Sequence, residues 1–204
     1  MFGLDLVNFK VPFVMFSYLF EYVKSNAKVF CLKNPDSFVL STAEMIDGKI
    51  DVSSRILLLK SFDLDGFIFY TNYLSKKGKS IDSCNDVAML FDYDFIDRQV
   101  RIKGKIQKIS EKLSKEYFDS RDYVSRVASY LSKQSNVIPE DVDFYKQVME
   151  YVENKKEVLK PLNWGGYIIN PYYFEFFKNG KNRIHKRVVY EKVENCWKKY
   201  NLYP

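Results

Sequence analysis

Apolar residues in the first stretch of the chain recur at helical spacing. "VPFVMFSYLF" (11–20) followed by "EYVKSNAK" predicts one amphipathic helix. The period then shortens to that of strands. "SFVLSTAEMIDGKIDVSSRILLLKSFDLDGFIFYTN" (37–72) reads as consecutive strands, and Asp47-Gly48 and Asp65-Gly66 mark tight hairpin turns, since glycine readily takes a positive φ. "SKKGKSIDSC" (75–84) predicts a short helix and "DVAMLFDYD" (86–94) a buried strand. "RQVRIKGKIQKI" (98–109) alternates strictly: Val100, Ile102, Gly104 and Ile106 face inward, while Arg101, Lys103, Lys105 and Gln107 face water.

From Ser110 to about Tyr151 the pattern is helical again. "IPEDVDFYKQVMEYVENKK" (138–156) carries a proline near its start and acidic residues that suit a first helical turn. After Lys160-Pro161, "NWGGYIINPYYFEFFKNG" and "RVVYEKVENCWKKYNL" return to strands. Trp164-Gly165-Gly166 suits the start of a strand where glycines permit close packing. Strands that flank a helical insertion and are joined by short hairpins predict an antiparallel β-barrel decorated by helices. The organisation is one domain over 1–204, with a helical N-terminal segment (1–34), a helical insertion (110–160) and C-terminal strands (161–204).

Composition narrows the class of partner. The chain has 204 residues, a formal net charge of +6 and an aromatic share of 17%, which suits an anionic partner and rings that stack on flat ligands. Cys31, Cys84 and Cys196 are odd in number and widely spaced, which argues against a disulfide framework or a structural zinc site and for the reducing cytoplasm. The apolar run 11–20 is too short to span a bilayer, so no membrane association is expected.

Two groups of residues carry candidate chemistry. In "NGKNRIHKR" (179–187) the only histidine is centred in Arg183-x-His185-x-Arg187. On a strand these three would share a face and could converge on an anion. Tyr117, Arg121 and Ser125 are spaced i, i+4, i+8, so an unbroken helix would align them. Arg55 and Lys60 have opposite parity, and a regular strand would send them to opposite sides.

Eight segments, "RILLLK" (55–60), "FYTN" (69–72), "SKK" (75–77), "RQV" (98–100), "YFDSR" (117–121), "SKQS" (132–135), "WGG" (164–166) and "RIHKR" (183–187), occur in an order that resembles the pyridoxine/pyridoxamine 5′-phosphate oxidase family, from about Pro35 to Pro204. The resemblance implies a mainly β, split-barrel homodimer with FMN at the subunit interface. It also implies oxidation of pyridoxine or pyridoxamine phosphate to pyridoxal phosphate, with O2 reduced to hydrogen peroxide. By position it assigns FMN contacts to Arg55, Ile56, Leu57, Leu58, Leu59, Lys60, Tyr70, Thr71, Lys76, Lys77, Gln99, Gln134, Ser135, Phe177 and Arg187. Substrate contacts fall on Lys60, Tyr117, Arg121, Ser125, Arg183 and His185, the last two being the catalytic candidates, with Arg183 holding the substrate ring against the flavin.

The residue types suit these assignments. Arg55, Lys76, Lys77 and the Ser135 hydroxyl can give charge-assisted hydrogen bonds to a phosphate dianion, and the amides of Gln99 and Gln134 both donate and accept. Three positions depart from the family pattern: Lys76 in place of arginine, Phe177 in place of tryptophan and Asn201 in place of an arginine near the end. Weaker binding is expected from them, not a different reaction. Two alternatives stand beside this reading. One is another split-barrel flavoprotein with a different substrate, disfavoured by the substrate-side residues. The other is a basic nucleic-acid binder, disfavoured because the cations are dispersed and no recognised motif is present.

Overall fold

Nine antiparallel strands account for the chain's long-range order in the computed structural model, which describes residues 11–204. Residues 1–10 of the predicted N-terminal segment lie outside the described residues. The strands are β1 (Ser37–Ile46), β2 (Lys49–Leu58), β3 (Ser61–Phe62), β4 (Phe67–Asn72), β5 (Asp86–Tyr93), β6 (Arg98–Lys108), β7 (Trp164–Lys178), β8 (Lys186–Val193) and β9 (Cys196–Leu202). Their order is β2-β1-β5-β6-β7-β4-β3, with β8 paired to β7 and β9 to β8. β1 and β4 stand four strands apart in that order, about 19 Å in a flat sheet. Yet Phe38 on β1 and Phe69 on β4 have ring centroids only 5.9 Å apart. The sheet therefore curls on itself, giving the helix-decorated antiparallel barrel expected from the sequence.

Helix α1 (Pro12–Ser25) closes the curl with its apolar face. Phe13, Phe16, Leu19, Phe20 and Val23 are all buried, and Phe16 packs edge-on against Phe62, Phe67 and Phe91. The helix ends at Ser25, before the predicted limit at Lys28; turns occupy 26–31, where the Asn26 side chain and backbone both donate to the Tyr22 carbonyl. Of the two predicted hairpins, Asp47-Gly48 is a two-residue turn with φ of 49° and 76°. Asp65-Gly66 is the end of a longer link, held by the Asp63 carboxylate accepting from the amides of Asp65 and Gly66.

The short predicted helix is α2 (Lys76–Ser83), capped by Ser75, whose hydroxyl accepts from Gly78 N. The helical insertion is three helices, α3 (Glu111–Ser120), α4 (Tyr123–Leu131) and α5 (Phe144–Glu153), not one continuous run. Asp122 makes the first break: its carboxylate accepts from Ser125 N and starts a new helix, leaving Arg121 extended at φ −77°, ψ 154°. Asp143 likewise caps α5, so Pro139, Glu140 and Asp141 precede that helix and do not form its first turn. These helices enclose a second core of Phe118, Val127, Val148, Val158 and Trp164.

Strand β7 ties the parts together. Its first half (Trp164–Ile169) pairs with β4 and its last (Tyr173–Lys178) with β8, while β6 runs along its other edge. The register shifts where Lys103 pairs Tyr173 and Gly104 pairs Pro171, leaving Tyr172 as an extra residue. Proline costs little at such a bulge because it has no N–H to leave unpaired. The bulge changes the strand's parity: Tyr167 and Ile169 are the core residues before it, Phe174 and Phe176 after it.

Candidate active site

A cleft of about 500 Å³ opens between the end of β2, β4, the start of α2 and the helix pair α3–α4. It gathers Ile56, Leu57, Leu58, Lys60, Tyr70, Thr71, Lys77, Tyr117, Arg121, Ser125 and Gln134, all named from the sequence. Tyr117, Arg121 and Ser125 meet there although no single helix carries them. The break at Asp122, not a continuous helix face, turns Arg121 inward.

At one end of the cleft, Lys77 is 9% exposed and its ammonium donates to Thr71 Oγ1 (3.1 Å), Ser75 Oγ (3.1 Å) and Gln134 Oε1 (2.9 Å). All three acceptors are neutral. Burial, with the Arg55 charge nearby, lowers the Lys77 pKa to about 8. Arg55 itself does not line the cleft; it lies behind it, donating to the Leu40 carbonyl, Thr42 Oγ1 and Ser53 Oγ. Burial lowers its pKa too.

At the other end, the Arg121 guanidinium lies over Trp164, 5.0 Å from the ring centroid, and donates to Ser129 Oγ at 2.8 Å. Tyr70 and Tyr117 stack beside it with centroids 3.8 Å apart. Side chains at Gly165 and Gly166 would collide with Tyr73, Ser114, Ile109 and Tyr70, so the two glycines let the aromatic stack sit against β7. Lys60 follows the end of β2, where strand parity no longer holds. Leu59 turns into the core at 3% exposure, and Lys60 points to the cleft, 3.3 Å from Asp36.

Among the described residues, none of Arg55, Lys77 and Arg121 has a carboxylate within ion-pair distance. Cations desolvated without a counter-ion are costly unless an anion completes them. The donor set thus fits two anionic groups, one at each end of a cleft with aromatic walls, as a flavin phosphate and a second phosphate require.

The remaining candidates lie elsewhere. Lys76 is exposed and paired with Asp51 at 2.9 Å, outside the cleft. Ser135, at φ 71°, lines a neighbouring hollow between α4 and α5. Gln99, Phe177 and Arg187 on β6, β7 and β8, with His185 just before β8, form a wall. Gln99, Phe177 and Arg187 make one cross-strand row, and His185 packs its ring 4.9 Å from Phe177.

The Arg183/His185/Arg187 trio is not one strand face. β8 begins at Lys186, while Asn182 and Arg183 take left-handed conformations (φ 55° and 63°) to reverse the chain. His185 Nδ1 accepts from Gly180 N at 3.4 Å, leaving Nε2 to carry the proton outward.

Gly165 beside the cleft and Phe177 on the wall are about 40 Å apart along β7, and none of the wall residues lines the cleft. One chain therefore holds two half-sets of candidates.

The sequence reading missed several polar positions. Asn72, Ser129 and Ser132 line the cleft. Ser129 stands four residues after Ser125 on α4, a spacing that would have revealed it. Arg101, assigned to water, keeps a half-exposed side chain but also joins a network around a buried carboxylate: its Nη1 donates to Glu175 Oε1 at 3.2 Å. Glu175, 4% exposed, also accepts from Arg187 Nε (2.8 Å) and Tyr173 OH (3.1 Å). Burial pushes the Glu175 pKa up, but the bonds from Arg187 and Tyr173 and the Arg101 charge bring it below the ordinary value.

Comparison with known proteins decides the family. The family described as "Pyridoxamine 5'-phosphate oxidase" matches residues 25–156, and "Pyridoxine 5'-phosphate oxidase C-terminal dimerisation region" matches 164–204. The chain belongs to the pyridoxine/pyridoxamine 5′-phosphate oxidase family.

A relative of that name from Neisseria meningitidis is 39% identical over 160 residues, 78% of this chain and 76% of the relative. Another from Pelagibacter ubique is 38% identical over 190 residues, 91% and 90% of the two chains. Among solved structures, PhzG from Burkholderia lata 383 in complex with tetrahydrophenazine-1-carboxylic acid superposes with a TM-score of 0.87 at 24% identity, covering 100% of this chain and 98% of that one. A pyridoxamine 5'-phosphate oxidase-related, FMN binding protein from Nostoc punctiforme gives 0.69 at 13% identity, covering 93% and 96%. These two likenesses establish the split-barrel fold, and FMN is the cofactor of the family. Among the described residues, no helix is long and apolar enough to cross a membrane, and no group of three or more His, Cys, Asp or Glu side chains could hold a metal ion.

Proposed function

We propose that this chain, as a single split-barrel domain, is an FMN-dependent oxidase of phosphorylated B6 vitamers that works as a homodimer. The observation that carries the reading is the pair of cationic ends of one cleft that no carboxylate neutralises, Lys77 with Arg55 behind it and Arg121 at the other end, where Lys60 adds a charge shared with Asp36. Such a cleft accommodates two phosphates with flat rings between them, a requirement of FMN bound next to a phosphorylated pyridine. The names of the relatives point to the same substrates.

Two features support a site shared between subunits. Apart from Gln99, the wall lies within the segment that matches the dimerisation region. In addition, β1 and β2 carry an exposed apolar stripe, Met45 (60%), Ile50 (70%), Val52 (65%) and Ile56 (71%), that runs to the cleft. Stripes of this kind mark interaction surfaces. A second copy seated on it would cover the stripe and bring its own Gln99, Phe177, Arg183, His185 and Arg187 to the cleft.

Bound FMN would supply the two-electron acceptor and the reactivity with O2. The residues of the chain do the rest. Lys77, Thr71 and Gln134 hold the cofactor phosphate and side chain, with Arg55 adding charge from behind. Lys60, Tyr117, Arg121 and Ser125 grip the substrate phosphate. From the other copy, Arg183 presses the pyridine ring into place and His185 orients its polar groups through Nε2–H. Holding the reacting atoms in register supplies much of the rate in such reactions. Pyridoxine phosphate and O2 give pyridoxal phosphate and H2O2; pyridoxamine phosphate consumes one water in addition and releases ammonia. Purified protein incubated with FMN and each vitamer phosphate should produce peroxide and pyridoxal phosphate absorbance in equal amounts. Yellow protein inert toward both would favour a different substrate on the same flavoprotein, and colourless protein that FMN does not reconstitute would sink the flavin reading.

Lys77 gives this binding a pH dependence. A phosphate needs the ammonium form, which the free protein holds below about pH 8. As pH rises through that value the proton is lost and binding must restore it, so FMN affinity should fall by up to about tenfold per pH unit. Fluorescence titration of the apoprotein checks this; an affinity that stays level well above pH 8 would contradict it.

A further inference from the structure

Gln99 and Arg101 are two residues apart on β6 and share a face. Arg101 Nη2 donates to Gln99 Oε1 at 3.1 Å, while its Nη1 donates to Glu175 Oε1 at 3.2 Å. The guanidinium also lies over Phe177, 5.3 Å from the ring centroid. Its plane and its reach are thus both fixed, on one side by a buried carboxylate that Arg187 and Tyr173 anchor in turn. A guanidinium has only N–H donors and cannot accept a hydrogen bond. The Gln99 amide must therefore turn its oxygen to Arg101, which leaves its NH2 group facing out of the wall.

We infer that Arg101 is a positioning residue that locks Gln99 as a hydrogen-bond donor, so that the wall recognises an acceptor edge, a ring carbonyl, of the flavin. The inference rests on the reading under which this wall faces bound FMN. Without Arg101 the amide is free to flip, and half of its orientations offer the ligand's carbonyl another oxygen. Glu175 serves the same end one step further back, because it fixes Arg101 and Arg187 together.

A double-mutant cycle on FMN binding to the apoprotein tests this. Gln99→Ala and Arg101→Met are each expected to weaken FMN about 2- to 10-fold and to shift the flavin's visible absorption in the same sense. The double variant should bind no more weakly than Gln99→Ala, because Arg101 acts through that amide. Arg101→Lys keeps the pairing with Glu175 and the fold but has a single nitrogen in place of the planar fork that reaches Gln99 and Glu175 together, so it should resemble Arg101→Met in both affinity and spectrum. Losses that multiply in the double variant overturn the inference and leave the flavin reading intact. So does an Arg101 variant whose only change is a lower apoprotein melting temperature, with affinity and spectrum as in the parent. A parent protein that takes up no FMN overturns both.

Discussion

A heterodimer of one Arg121→Ala chain and one Arg183→Ala chain, purified through two different tags, is expected to show about half the parent rate per dimer, although each homodimer alone is nearly inactive. Arg121 stands in the cleft and Arg183 in the turn before the wall, and one chain keeps these regions about 40 Å of strand apart. If each site takes its cleft from one copy and its wall from the other, the heterodimer concentrates both lesions in one site and leaves the second intact. If each chain instead built its own site, both sites would carry a lesion and no activity would return. Each homodimer should lose at least about 10- to 100-fold, since removing a charged hydrogen-bond partner costs about 1.5–3 kcal/mol. Steady-state peroxide release from the three preparations separates the outcomes, and an inactive heterodimer would rule out the shared site.

Lys77→Met should weaken FMN binding by about 10- to 100-fold without destabilising the apoprotein. Lys77 is buried among neutral oxygens beside another cation, which is why its pKa is lowered to about 8. The sign of the stability effect follows from linkage. The unfolded chain holds the proton more tightly, so the folded apoprotein carries the full penalty below about pH 8 and sheds it as the pH rises toward the ordinary lysine value. Methionine fills the space without the charge, as apolar replacements of buried ionic groups often do at no cost. Apoprotein melting curves and FMN titrations of the same samples should therefore move in opposite directions or leave the melting temperature unchanged. A variant that melts lower and binds FMN as the parent does would assign Lys77 to the fold and not to the ligand.

Much of this architecture was legible in the chain. Alternation in 98–109 gave β6 and its inner face, because a half-buried strand must repeat every two residues. The helix breaks were harder to read. Apolar periodicity continues across Asp122, and only the carboxylate's choice to accept from Ser125 N, a local competition, ends one helix and begins another. The partner of Arg101 was hidden for a related reason. Parity correctly placed Arg101 on the outer face of β6, where its side chain stays 43% exposed, but the carboxylate it pairs with, Glu175, lies 74 residues away. Most of the cleft residues were reached through the order of the family's segments, and spacing alone would have left them as dispersed polar positions. That half of them sit far from the others in one chain is a matter of assembly, which no local pattern records.

The bulge at Pro171-Tyr172 works as a phase shifter in a single long strand. Because the extra residue lies between the halves, the barrel's interior receives odd-numbered side chains upstream and even-numbered ones downstream. Were Tyr172 paired in line, as in an unbulged strand, Glu175 and Phe177 would rotate into the hydrocarbon while Phe174 and Phe176 turned out to water. Setting that one residue outside the ladder lets Gly104 and Lys103 stay opposite Pro171 and Tyr173, so each half of the strand keeps the alternation that its own neighbours require.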